Sequence, residues 1–135
     1  MGTIRVVDAG DGHFRAVSDV PGRPDLAGSQ SEAKVHHTGE EGGLQYFQVR
    51  LPPNGEIPQH AHDEDEIVVV QEGSLRLGRR VLGPGSSVYI PARTLYTLRA
   101  GSDGLTFGNF RGRRDVSYLS KQDLLASRAV PAQRS

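Results

Sequence analysis

The sequence predicts an all-β fold of the sandwich, barrel or jelly-roll kind. Three observations carry that reading: apolar runs are short and recur along the chain, turn signals rich in Gly and Pro separate them, and only one segment reads as helix. With 17 Gly and 8 Pro among 135 residues, the chain has the punctuation that many short strands need.

Taken in order, strands are expected at 3–7, 13–17, 33–37, 44–51, 66–71, 74–77, 87–90, 95–99 and 105–110. The turns between them read Gly10-Asp11-Gly12, Gly42-Gly43, Pro52-Pro53-Asn54-Gly55, Gly83-Pro84-Gly85 and Gly101-Ser102-Asp103-Gly104. Val68-Val69-Val70 is a continuous apolar run, as expected of a strand inside a sheet. The helix is expected at 120–128. Ser120 stands at its N-cap and Asp123 at the third helical position, and Leu124 and Leu125 would dock it on the β body. Residues 18–32, rich in Pro, Gly, Ser and Asp, read as an irregular arm or lid, and 129–135 as a loose tail. No internal repeat is visible. The expected organisation is one domain over 1–135, with N-terminal strands and arm at 1–32, barrel body at 33–119, then helix and tail.

Composition narrows the function. Sixteen Lys and Arg balance sixteen Asp and Glu. That gives no electrostatic reason to expect nucleic acid or an anionic membrane as partner. The absence of cysteine excludes disulfides, thiolate metal sites, iron–sulfur clusters and cysteine nucleophiles. Residues 1–10 lack an apolar run of signal-peptide length and no stretch is long enough to span a bilayer, so a cytoplasmic location is the expectation.

The informative stretch is Gly55 to Gly73. His60 and His62 are two apart, which in an extended strand puts both imidazoles on one face. Imidazole suits first-row transition metals, and Glu66, opening the next strand, could complete a two-His-one-carboxylate set with open positions. On residue types alone, without Glu66 and the Gly-Pro frame that follows, His60 and His62 read as surface residues beside the acidic loop Asp63-Glu64-Asp65.

The spacing of these residues resembles the first motif of the cupin superfamily: Gly, five residues, His-x-His, three or four residues, Glu, six residues, Gly. The match from His60 to Gly73 is complete, while Asn54 stands at the first Gly position and Gly55 follows it. A second motif, Gly, five residues, Pro-x-Gly, two residues, His, three residues, Asn, is similar to Gly85 through Ala100. Gly85 and Pro91 match; Arg93 replaces the Gly, Tyr96 the metal-binding His and Ala100 the Asn. The resemblance covers the middle third strictly and the strand-rich body loosely. It implies a cupin double-stranded β-helix, a jelly-roll barrel, with one short C-terminal helix. It also implies a homodimer, a small-molecule substrate and one divalent or trivalent transition metal: iron first, with manganese, nickel or zinc as alternatives.

The implied ligands are His60, His62 and Glu66, with Tyr96 at the fourth position. Three readings of Tyr96 stay open. Tyrosinate could ligate a hard, oxidised metal; a neutral phenol could hydrogen-bond substrate; or the metal site has decayed and Tyr96 lines a pocket. The second is preferred because an unperturbed phenol titrates near 10. Tyr96 and Glu66 are the candidate proton-moving residues. Tyr46, Gln48, Phe107 and Asn109 are candidate substrate contacts, on the premise that one alternating set of 46–51 and of 107–111 faces the barrel. Arg111, Arg113 and Arg114 read as a solvated basic face or dimer contact. His36 and His37, adjacent and so on opposite faces of a strand, read as satisfied or exposed residues, and His13 has no partner in sequence.

The leading functional expectation is a metal-dependent enzyme acting on a small organic molecule. Its chemistry would be either oxygen-dependent cleavage of the dioxygenase type or non-oxidative cyclisation, isomerisation or lyase chemistry with the metal as Lewis acid. The alternative is a metal-free or structurally metallated binding module, a sensor or storage cupin.

Overall fold

The structure, a computed structural model, describes residues 2–17, 30–40 and 43–128. Its strands are β1 (Arg15–Ala16), β2 (Glu32–His37), β3 (Gln45–Leu51), β4 (Glu56–His60), β5 (Glu66–Leu77), β6 (Arg80–Leu82), β7 (Ser87–Ile90) and β8 (Tyr96–Arg111), followed by α1 (Lys121–Arg128). Every strand pairing is antiparallel.

Two long strands organise the barrel. The C-terminal part of β8 pairs with β3 and with the first part of β5, which also pairs with β7. The N-terminal part of β8 pairs with β4 and with the end of β5, which also pairs with β6. Two sheets therefore share β5 and β8 and diverge where both strands bend. The register jumps there from Gly73↔Leu105 to Leu75↔Ala100. Gly73 has φ +73°, and a Cβ on it would sit 2.0 Å from the Gly104 carbonyl oxygen. The glycine that ends the first motif is thus required by backbone crossing backbone at the bend.

This bend corrects one expectation. Gly101-Ser102-Asp103-Gly104 is a bulge inside β8, because the residues on both sides of it pair with β5 rather than with each other. For the same reason the strands expected at 66–71 and 74–77 are one element, β5. Residues 3–7 form no strand, and only Arg15 and Ala16 of the expected 13–17 pair, against β2. Most of the expected arm, 18–29, and the tail at 129–135 lie outside the described residues.

The two motif departures at glycine positions have a backbone explanation. Asn54 and Arg93 both have φ +59°, the left-handed conformation that glycine adopts at no cost. Asn54 therefore fills the glycine position itself. Gly55 is needed for a different reason, since a Cβ there would lie 2.9 Å from Pro52 Cδ. Arg93 is held by its N–H on the His62 carbonyl (2.6 Å) and by its guanidinium on Asp63 and Ser127.

The core runs through the barrel from both sheets: Val49, Leu51, Ile57, Val68, Val70, Leu75, Ile90, Leu98, Ala100, Leu105 and Phe107. Val68 and Val70 point inward and are fully buried, as the Val68-Val69-Val70 run implies for a central strand. The helix begins with the expected reciprocal cap: Asp123 N–H donates to Ser120 Oγ (3.0 Å) and Ser120 N–H to Asp123 Oδ2 (2.9 Å). Of its two leucines Leu124 is buried against the β body, while Leu125 is exposed.

Candidate functional site

β4 ends at His60, and Ala61 then makes a two-way bridge with Leu119, which keeps the chain extended through His62. Extended backbone puts His60 and His62 on the same side, both buried, with ring centroids 4.7 Å apart. His60 Nδ1 lies 2.7 Å from the Pro58 carbonyl, and His62 Nδ1 is bonded to the Ser117 carbonyl. With Nδ1 donating, a neutral imidazole carries its lone pair on Nε2. Burial, reinforced by the Arg111 guanidinium, pushes His62 from 6.5 down to about 4, so it is neutral at pH 7.

Tyr96 is the direct cross-strand partner of His60, with ring centroids 4.5 Å apart. It points inward, at the position the second motif gives to a histidine, and its hydroxyl donates to Glu66 Oε1. Burial and the Glu66 charge raise its pKa well above 10, which keeps the phenol protonated.

Glu66 is the centre of the polar floor. Its Oε2 accepts from Asn109 Nδ2 and from Arg111 Nε, each at 3.0 Å, and Arg111 Nη2 is also 3.0 Å away. Burial opposes ionisation of Glu66, yet Arg111, His62, Tyr96 and Asn109 together hold its pKa below the ordinary carboxylate value. Arg111 in turn donates through Nη1 to the Asp115 carbonyl (2.7 Å) and lies over the Phe47 ring, 5.1 Å from its centroid. The Glu66 and Arg111 side chains are 1% and 2% exposed, so this ion pair is sealed from water. That corrects the reading of Arg111 as part of a solvated basic face. It follows Phe107 and Asn109 at period two and stands directly opposite Glu66 in the β5–β8 register.

The cavity above this floor has a volume of about 570 Å³. Its walls include Phe47, Val49, Ile57, Leu98, Phe107 and Tyr118, with His60, His62, Tyr96, Asn109 and Arg111 at the polar end. Phe107 and Asn109 line the cavity. Tyr46 and Gln48 do not. Phe47 and Val49 take the inner face of β3, which leaves Tyr46 and Gln48 on the outer one, linked through Gln71. Asn109 Oδ1 is buried without a hydrogen-bond partner among the described residues.

Residues 115–119 were not singled out by sequence. They form the back of the site: Tyr118 stacks on His60 (centroids 4.4 Å apart, planes 7°), and Ser117 anchors His62. Asp115 accepts from the N–H groups of Glu64 and Ser117. No motif spacing reports them, because they reach the histidines from about 55 residues downstream, through tertiary pairing alone.

Whether these side chains fit a metal can be judged from the donors. The histidines do: each is oriented by a backbone carbonyl on its other nitrogen, the usual outer support of a metal-binding imidazole. The carboxylate does not, since both its oxygens are taken, one of them by a guanidinium. Among the described residues, no group of three or more His, Cys, Asp or Glu side chains is placed to hold a metal ion. The residues as arranged do not complete the metal centre that the motif implies.

An antiparallel barrel holding two inward histidines, a glutamate and a mostly apolar cavity is a jelly-roll architecture. Residues 47–106 match the cupin domain family model, and cupins are among the solved structures on which the chain superposes. An RmlC-like cupin from Ralstonia eutropha JMP134 superposes with a TM-score of 0.70 at 21% identity, over 90% of this chain and 75% of that one. The polyketide cyclase RemF from Streptomyces resistomycificus gives 0.66 at 18% identity, covering 93% and 94%. KdgF from a Halomonas species gives 0.52 at 26% identity, covering 63% and 81%. At these identities the structural likenesses speak for the fold. No curated protein sequence matches the chain. No helix among the described residues is long and apolar enough to cross a membrane.

Proposed function

We propose that this cupin binds a small, largely apolar organic molecule bearing a hydroxyl group, and does so without a resident metal. The observation that carries the reading is the floor of the cavity. Its strong donors are already committed: Tyr96 Oη and Asn109 Nδ2 to Glu66, and the Arg111 guanidinium to Glu66 and the Asp115 carbonyl. His62, held neutral, offers an imidazole lone pair, which is an acceptor. An acceptor at the end of an apolar cavity selects a ligand with a donor at one end, such as a phenol or enol. A cavity of about 570 Å³ suits a molecule of two or three fused rings.

Calorimetric titration with 2-naphthol and with 2-methoxynaphthalene tests this. The expected result is saturable binding of the naphthol and binding about tenfold weaker for its methyl ether, the worth of one buried hydrogen bond. The preference should vanish in His62→Phe. Equal affinity for both compounds, or no saturable binding of either, would overturn the reading.

The second reading, a metal-dependent enzyme, is favoured by the carbonyl-anchored histidines. It requires Glu66 to exchange Arg111 for the metal, and tag-free protein with stoichiometric metal that is lost in His60→Ala would support it. For assembly, we propose a homodimer through the outer sheet face. Tyr46, Phe110, Ile67 and Tyr89 are successive cross-strand partners there, and the last three are exposed. Light scattering should report a dimer, and Ile67→Asp should return the monomer.

A further inference from the structure

We propose that Arg111 is the resident cation of this site: its guanidinium holds Glu66 as a divalent ion otherwise would, closing the native chain to such an ion, and removing it opens the site. This deepens the metal-free reading and rests on it only for the state of Glu66.

Three features carry it. First, the pair is built into the sheet. Glu66 and Arg111 are direct partners in the β5–β8 register, so no side chain has to reach across the barrel to form it. Second, Arg111 is fixed from behind. Nη1 donates to the Asp115 carbonyl, and Asp115 itself is tied to the backbone of Glu64 and Ser117. Third, the rest of a metal-binding set is already in place, with the Nδ1 atoms of His60 and His62 on carbonyls. Only the carboxylate is withheld. A doubly charged ion brought beside a buried guanidinium is repelled strongly, because little water screens the two. The same residue thus neutralises Glu66 and excludes the ion that would compete for it.

The probe is Co²⁺ alone, added to tag-free protein and followed by equilibrium dialysis and by the visible ligand-field bands of protein-bound cobalt. Native protein is expected to retain only substoichiometric Co²⁺, with no broadening of the His60 and His62 imidazole proton resonances. Arg111→Met is expected to bind Co²⁺ stoichiometrically and at least tenfold more tightly than native protein. That gain should disappear when His60→Ala or Glu66→Gln is added. Arg111→Met with Glu66→Gln also serves as the folding control, because it leaves no unpaired charge inside. The native arm needs no variant: stoichiometric Co²⁺ on His60 and His62 of the native chain would overturn the proposal. So would a folded Arg111→Met that gains no affinity. Neither outcome depends on naphthol binding, so the ligand reading and this one fail separately.

Discussion

Two polar networks lie on opposite faces of the same sheet and behave as opposites. On the outer face His36 Nε2 is 2.8 Å from Gln48 Oε1, Gln48 donates to Gln71 (2.7 Å), and Gln71 donates to Tyr46 (3.1 Å). Beneath it is Gly108, whose missing side chain leaves room for Tyr46 and Gln71. On the inner face Tyr96, Asn109 and Arg111 converge on Glu66. Both networks are built on adjacent strands, one residue out of phase. The outer one contains no carboxylate or guanidinium and in the single chain is partly open to water, which can replace a lost partner. The inner one is charged and dry, so a lost partner leaves an uncompensated charge. Hydrogen-bond geometry alone does not separate them; solvent access does.

The largest expected effect follows from that difference. Arg111→Met or Glu66→Gln alone should cost about 3–5 kcal/mol, the penalty of stranding one member of a buried pair. Urea unfolding measures it, and a loss under 1 kcal/mol would mean that water reaches the pair.

Next comes pH. His62 binds its proton near 6.5 when unfolded and near 4 when folded. Between those values the unfolded state holds more protons, so stability falls as pH falls from about 6.5 to 4. The shift corresponds to about 3 kcal/mol at ~1.4 kcal/mol per unit. Glu66, whose folded pKa is depressed, adds a loss in the same direction but at lower pH, as pH falls through that folded value. Urea titrations from pH 7 to 4 should show the decline, flattened above pH 4 in His62→Gln.

A smaller effect is expected at the helix cap, where geometry is good but water is near. Ser120→Ala should cost about 1 kcal/mol and lower the helical signal at 222 nm in thermal melts. The smallest belongs to the outer network. Gln48→Ala should change stability by no more than about 0.5 kcal/mol. A loss as large as that of Arg111→Met would erase the distinction between the faces.

Much of this was legible in the sequence, and the failures have physical causes. The motif spacing located His60, His62, Glu66 and Tyr96, and the structure brings all four to one end of the cavity. The Ser120 cap was legible because both its partners are local. The Gly101–Gly104 signal was read as a turn because the sequence does not say that β5 accompanies β8 on both sides of the bend. Tyr46 and Gln48 were placed inside because alternation identifies two faces without saying which is inner. Arg111 was hidden beside Arg113 and Arg114, which are solvated as expected. Its alternation with Phe107 and Asn109 was visible, but its position opposite Glu66 depends on strand register.

The most direct test of the central claim is a double-mutant cycle on Glu66→Gln and Arg111→Met, read by urea unfolding at pH 7. If Arg111 is the cation that Glu66 depends on, each single variant loses about 3–5 kcal/mol while the double variant loses far less, a coupling of at least 3 kcal/mol. Additive losses, with the double variant as unstable as the two singles combined, would contradict it.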